Sequence, residues 1–370
     1  MLGGCYEIHE RLNEGCFGTI YRGRHVRTDS DVAIKLEACV NGTPNIKSVL
    51  KHECKMLYYL RDRGCLNVPE VEWWGTIELK KDDDVDVDVD DDDDDVDDDV
   101  DDDVDDDVDV DLARSKQVPL LQKFAGGAVS GAGKSPLLQK FAGGAVSGAG
   151  KSPLLQKFRA LIMPMLEATV SMRVLAATGK RVGHWIQEMI RILYQVHDAG
   201  IIHRDIKPQN FMLRNGVLYL IDFGLSSVFV DNQFRGHLPP KPDRSDIVGT
   251  PKYVSLHVQD GKDPSRRDDL VSVGYVWLFL LLGDKLPWDA SFASYSSLTA
   301  CVPRAHISHP ANEDCKTRKV QFLQHEHKHP TLVAVKEYLI ATHRLEYDDT
   351  PDYISYIDTI ERSLPTTAPP

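Results

Sequence analysis

"IIHRDIKPQNF", Ile201–Phe211, is followed closely by "LYLIDFG", Leu218–Gly224. In the first stretch two β-branched residues lead into a polar loop that carries Asp205, Lys207 and Asn210. In the second, a short apolar strand delivers Asp222 into a glycine turn, twelve residues after Asn210. Two carboxylates, an amide and an ammonium are thus concentrated on two loops close in sequence, and they set what the rest of the chain has to supply.

Upstream, "LNEGCFGTIY", Leu12–Tyr21, reads as a glycine-bearing hairpin whose backbone can close over phosphates. "VAIK", Val32–Lys35, reads as a short strand ending in an ammonium. Ile46, Val49, Leu50, Glu53, Met56, Leu57 and Leu60 recur at helical spacing, and Gly64 stands where that helix ends. Glu53 lies inside the apolar stripe. By itself it reads as a partly exposed Glu on an ordinary helix; facing the core it needs a partner, for which Lys35 is the candidate. In this order the segments resemble the catalytic loop, the metal-binding turn and the phosphate-contacting strand of a protein kinase. The resemblance implies that Asp205 accepts or orients the proton of an attacking hydroxyl. Asn210 and Asp222 would hold Mg²⁺ between the phosphates of ATP, Lys207 would neutralise charge on the transferred group, and Lys35, paired with Glu53, would reach the α- and β-phosphates.

"GTPKYVSLHVQDGKDPSRRDDLVSVGYVWLFLLLGDKLPW", Gly249–Trp288, and "LEYDDTPDY", Leu345–Tyr353, resemble the casein kinase 1 family or its tau-tubulin kinase relatives. Ser255-Leu256-His257 stands where that family has its own substitute for the usual Ala-Pro-Glu. The implied fold is α+β and bilobal, with an N-lobe over 1–79 and 159–166, a C-lobe over 167–362, and a low-complexity insertion over 80–158 expected to stay disordered. "ALIMPML", Ala160–Leu166, becomes the strand into the hinge, with Met163 as gatekeeper and Leu166 bonding adenine; Gly15, Gly18, Ile20 and Ala33 complete the expected ATP-binding set. The implied activity is Ser/Thr phosphorylation of protein substrates in acidic or already phosphorylated contexts, by a monomer acting inside the cell, in cytoplasm or nucleus. Lys252, with Lys319 as the second cation, is expected to form the anion site for such substrates. Three residues depart from the family: Asn13 occupies the first loop-glycine position, and Asp289-Ala290 follows Trp288 where the family has Gln-Gly. The Asp would oppose an anion. The alternative is a pseudokinase or scaffold whose acidic insertion recruits basic partners.

The net charge of −14 belongs to one block. Asp82–Asp111 contains 22 Asp and 8 Val, and without it the balance is +8. Seven further Lys and Arg between 112 and 158 leave the remainder near neutral, so no nucleic-acid-binding stripe is implied. The longest apolar run, Leu270–Leu282, is 13 residues, short for a membrane helix. Seven cysteines without a Cys-x-x-Cys pair fit reduced thiols, and no signal-peptide or myristoylation pattern is read at the N-terminus. "PLLQKFAGGAVSGAGKS" occurs at Pro119 and Pro136, with a truncated "PLLQKF" at Pro153. Its Gly-Lys-Ser suggests a P-loop, but Ala128 and Ala145 stand at the first glycine position and "PLLQKF" makes a poor preceding strand, so a solvated repeat is expected. "HEHKH", His325–His329, is expected to be a solvated loop and not a metal site. The Asp block could instead mimic an acidic substrate in cis, with Ser115 as its phosphorylation site.

Overall fold

The computed structural model describes residues 2–15, 18–39, 48–80, 155–177, 180–231, 236–295 and 306–363. The chain divides into two units, Met1–Leu79 with Leu155–Pro370, and Lys80–Leu154. The Asp block, both full repeats and Ser115 lie outside the described residues.

In the first unit, β1 (Tyr6–Gly15), β2 (Gly18–His25), β3 (Ser30–Ala38), β4 (Trp73–Lys80) and β5 (Leu155–Pro164) form one sheet in the order β1-β2-β3-β5-β4. The β1/β2, β2/β3 and β3/β5 pairs are antiparallel. Val32, Ile34 and Leu36 alternate inward along β3 and meet Ala160 and Ile162 of β5 in a small core, the period-two pattern of a half-buried strand. α1 (Val49–Asp62) packs beside this sheet. Its start is fixed by Ser48, whose hydroxyl accepts the Lys51 N–H at 3.0 Å, and its end by Gly64 at φ +84°.

β5 begins at Leu155, four residues before the boundary expected from the repeat. Phe158 pairs with Ala38 and Arg159 with Glu37, so Leu155–Phe158 of the truncated third copy are strand and not spacer. Its continuation into "RALIMP" carries the apolar alternation that the two full copies, which continue into "AGGAVSG", lack.

The rest of this unit is largely helical. β6 (Ala168–Thr169), β8 (Phe211–Arg214) and β9 (Val217–Leu220) form a small sheet, and β7 (Ile201–Ile202) pairs with β10 (Ser227–Val228). Around them stand α2 (Met172–Ala177), α3 (Val182–Asp198), α4 (Leu256–Gln259), α5 (Arg266–Leu281), α6 (Pro310–Gln324), α7 (Pro330–His343) and α8 (Tyr353–Ser363). The apolar run seen in the sequence is α5. It is buried over most of its length, contacting α3 and α7, and a helix apolar all round belongs inside a core. Among the described residues no helix is long and apolar enough to cross a membrane.

Candidate active site

Four separated segments converge on one cluster of charges. Lys35 sits on β3 opposite Ile20 of β2 and Leu161 of β5. Its Nζ lies 2.6 Å from Glu53 Oε1 on α1 and 3.4 Å from Asp222 Oδ1 in the turn after β9. Glu53 is only 3% exposed, so it faces the core and not solvent, and the partner named for that case is the one it has. Burial alone would lower the Lys35 pKa, but the Asp222 and Glu53 carboxylates outweigh it and hold the ammonium well above the ordinary lysine range. Burial likewise works to raise Asp222, yet Lys35 and Lys207 keep its carboxyl below the usual range, so it is ionised. For Glu53 burial pushes the carboxyl up while Lys35 pulls it down.

Asp222 adopts the left-handed backbone conformation, φ 67° and ψ 68°, which short polar side chains tolerate better than others. The following Phe223 is fully buried, edge-on to His203 at 4.8 Å between ring centroids, and this packing sets where the turn points.

Asp205 is held on both oxygens. Lys207 Nζ donates to Oδ2 at 2.6 Å, and Thr250 donates to Oδ1 from its hydroxyl at 2.7 Å and its N–H at 3.0 Å. Asn210 Nδ2 donates to the Asp205 carbonyl at 2.9 Å, which turns the opposite, oxygen end of the amide toward other partners. The loop backbone is fastened from below by Asp269 of α5, which accepts the N–H groups of His203 at 2.7 Å and Arg204 at 2.9 Å. Those bonds hold Arg204 at φ 68°, a conformation that costs on the order of 1–3 kcal/mol for such a residue. His197 Nε2 lies 2.9 Å from the same Asp269, and its Nδ1 is 2.7 Å from the Tyr353 hydroxyl of α8. Burial pulls the His197 pKa down, so the neutral ring donates to Asp269 and accepts from Tyr353.

Neither Thr250 nor Asp269 stands out as a site residue in the sequence alone. Each carries a signal there all the same: Gly249 precedes Thr250 at φ +96°, where a Cβ would meet the carbonyl oxygen of Arg204, and Asp269 is the second acid of "SRRDD".

The expected nucleotide-binding residues line the same sheet. Gly15 and Gly18 pair across the end of the β1/β2 hairpin. Gly18, at φ +122°, admits no side chain, because a Cβ would run into the Leu36 carbonyl. Ala33 pairs with Met163, which is buried at the end of β5. Leu166, also buried, follows between Met165, whose N–H goes to Asp31, and Glu167, whose N–H goes to Leu213. Asn13 pairs with Ile20 beside a register shift in β1. Asp222 and Asn210 supply hard oxygen donors, one ionised and one an amide, on adjoining turns, a donor set that fits Mg²⁺.

The anion site does not assemble as expected. Lys319 is fully buried in α6 and donates to Pro251 O at 3.0 Å, Val254 O at 2.7 Å and Gln259 Oε1 at 3.3 Å, under the rings of Tyr275 and Trp288. Its three N–H donors are used on protein acceptors, which corrects its assignment to a phosphate. Lys252 is half-exposed but lies 2.9 Å from Asp289. "HEHKH" forms the link between α6 and α7, with His327 Nε2 3.0 Å from Phe322 O.

The family model for the protein kinase domain matches residues 154–337. The chain carries a protein kinase domain. The matched span holds Asp205, Lys207, Asn210, Asp222, Thr250 and α5, while the strand and helix bearing Lys35 and Glu53 precede it.

Proposed function

We propose that this is an active Ser/Thr protein kinase of casein kinase 1-like type, acting as a monomer, bilobal about a hinge at 160–166, with 80–154 as an insertion between β4 and β5. The observation that carries the reading is the convergence of Lys35, Glu53 and Asp222 from β3, α1 and the turn after β9, at 2.6 and 3.4 Å.

A protein hydroxyl approaching Asp205 meets a carboxylate whose orientation is fixed by Lys207 and Thr250. Asp205 accepts or orients the hydroxyl proton, and Lys207, already 2.6 Å from Asp205, offsets negative charge between the acceptor and the γ-phosphoryl group. Lys35, kept protonated by its two carboxylates, contacts the α- and β-phosphates, with Glu53 fixing its direction. The hairpin ending in Gly15 and Gly18 covers the phosphates, and Ile20, Ala33, Met163 and Leu166 receive adenine. Asn210 and Asp222 would hold Mg²⁺, which would supply positive charge to offset that of the phosphates. The resemblance at Lys207 supports Ser and Thr as acceptors. The commitment of Lys319 to protein acceptors leaves an acidic or primed substrate context without its second cation.

The pseudokinase alternative has in its favour only Asn13; every residue needed for transfer is present. Transfer of labelled phosphate from ATP to casein tests the two readings. Asp205→Asn is expected to lose on the order of a hundredfold or more in rate. Equal background transfer by the parent and the variant, with ATP bound, would instead favour the scaffold.

A further inference from the structure

The Lys252–Asp289 pair lies beside the place where a substrate must sit. Thr250 touches Asp205, and Lys252 is two residues further on. Two residues span at most about 7 Å of extended chain. The Lys252 ammonium therefore falls within reach of substrate side chains a few positions from the acceptor. Its backbone is pinned there, since Trp288 Nε1 donates to the Lys252 carbonyl at 2.9 Å and Trp288 is fully buried.

Asp289, the next residue after Trp288, is equally fixed. Its Oδ2 accepts the Leu286 N–H at 2.9 Å in a tight turn, and its Oδ1 faces Lys252 Nζ at 2.9 Å. The two side chains are 37% and 34% exposed, while the Asp289 Oδ1 that meets Lys252 is itself covered, so it is the Lys252 side of the pair that an incoming anion would have to reach. Burial raises the phenol of the neighbouring Tyr253, and the Asp289 and Asp284 carboxylates add to that rise. The neighbouring cation, Lys319, is turned inward onto Pro251 and Val254 and does not restore a positive rim.

Resting on the kinase reading above, we infer that Asp289 is a specificity-determining residue: it occupies Lys252 from within and turns the rim beside Thr250 against acidic and phosphorylated substrates. An incoming carboxylate or phosphate must displace a carboxylate that the Leu286 turn already holds in place, and it meets that carboxylate's repulsion while doing so. Substrates with neutral or basic residues at those positions meet neither obstacle.

The test uses the full chain and three peptides with one Ser acceptor, carrying neutral residues, aspartates or a phosphoserine two to four positions away. In the wild type, kcat/KM for the acidic and phosphorylated peptides is expected to be no higher than for the neutral one. Asp289→Asn is expected to raise the phosphorylated-to-neutral ratio by about fivefold or more. Adding Lys252→Met to that variant is expected to remove the gain. A fluorescently labelled phosphoserine peptide, followed by polarisation, is expected to bind Asp289→Asn more tightly than wild type whether or not transfer occurs. A wild type that already prefers the phosphopeptide, or a variant with ratio and binding both unchanged, overturns the inference. Failure of the kinase reading is distinguishable: no peptide is phosphorylated above the Asp205→Asn background, and the polarisation result still decides the role of Asp289.

Discussion

Lys35, 13% exposed, and Lys319, fully buried, are both withdrawn from solvent, and their surroundings differ in kind. Lys35 lies between two carboxylates, Glu53 and Asp222. Lys319 is surrounded by backbone carbonyls, a glutamine amide and two aromatic faces. Burial acts to lower both pKa values. At Lys35 the carboxylates reverse it, whereas at Lys319 burial prevails and lowers the value to about 8, with Cys315 opposing only weakly. Dipoles satisfy the hydrogen bonds of a buried ammonium, but full charges are needed to keep it firmly protonated. The first arrangement suits a cation that must meet phosphates; the second suits a fastener joining α6 to the segment that follows Thr250.

The largest expected effect comes from removing the first cation. Lys35→Met deletes a fixed positive charge from the proposed phosphate site, and the loss of one such stabilising group costs on the order of a hundredfold or more in transfer rate. It also leaves Glu53 and Asp222 close together without their cation, so stability should fall by roughly 3–5 kcal/mol. Transfer assays and urea unfolding on the same preparation check both. A variant that retained near-normal transfer would mean that Lys35 is as structural as Lys319, and the contrast would collapse.

A smaller effect is expected at the second site. Lys319→Met leaves the Pro251 and Val254 carbonyls without their donor, a loss of about 2 kcal/mol, or roughly 4–8 °C in Tm. Transfer should fall by less than about tenfold, because no atom of Lys319 points to Asp205 or Asp222. A variant with normal Tm and abolished transfer would place Lys319 in the chemistry after all.

The same contrast explains what could be read from the sequence. Asp205, Lys207, Asn210 and Asp222 are close along the chain, and short-range spacing nearly determines their geometry. The Lys35–Glu53 pair was legible as a possibility, since a carboxylate inside an apolar stripe demands a cation. Its realisation depends on β3 and α1 meeting the turn at Asp222, which no local pattern encodes. The burial of Lys319 is not legible in the sequence, because a lysine on a polar-looking helix carries no local sign of it. Only the packing of α6 against Pro251, Val254 and the aromatic rings of α5 and Trp288 encloses it. Likewise Leu155–Phe158 carries the same letters as the earlier copies, and its strand character rests on the pairing of Phe158 with Ala38.

The subtlest way to separate the two lysines is by pH. In the folded protein Lys319 titrates at about 8, against an ordinary lysine value of 10.5. Between those values the unfolded chain binds the extra proton, so stability rises with pH through that window. This contribution is complete above about 10.5 and is lost as pH falls through 8. At about 1.4 kcal/mol per pKa unit it amounts to a few kcal/mol at most. The stability difference between wild type and Lys319→Met, from urea unfolding at about pH 7, 8, 9 and 10, should therefore widen as pH rises, while other titrating groups cancel. Lys35 shows the opposite sign: its folded pKa lies above the unfolded value, so its stabilisation is complete below that value and fades only as pH climbs through the folded one. A Lys319 difference that narrowed with pH would mean that the ammonium is held by negative charge, and the two lysines would then differ in location and not in principle.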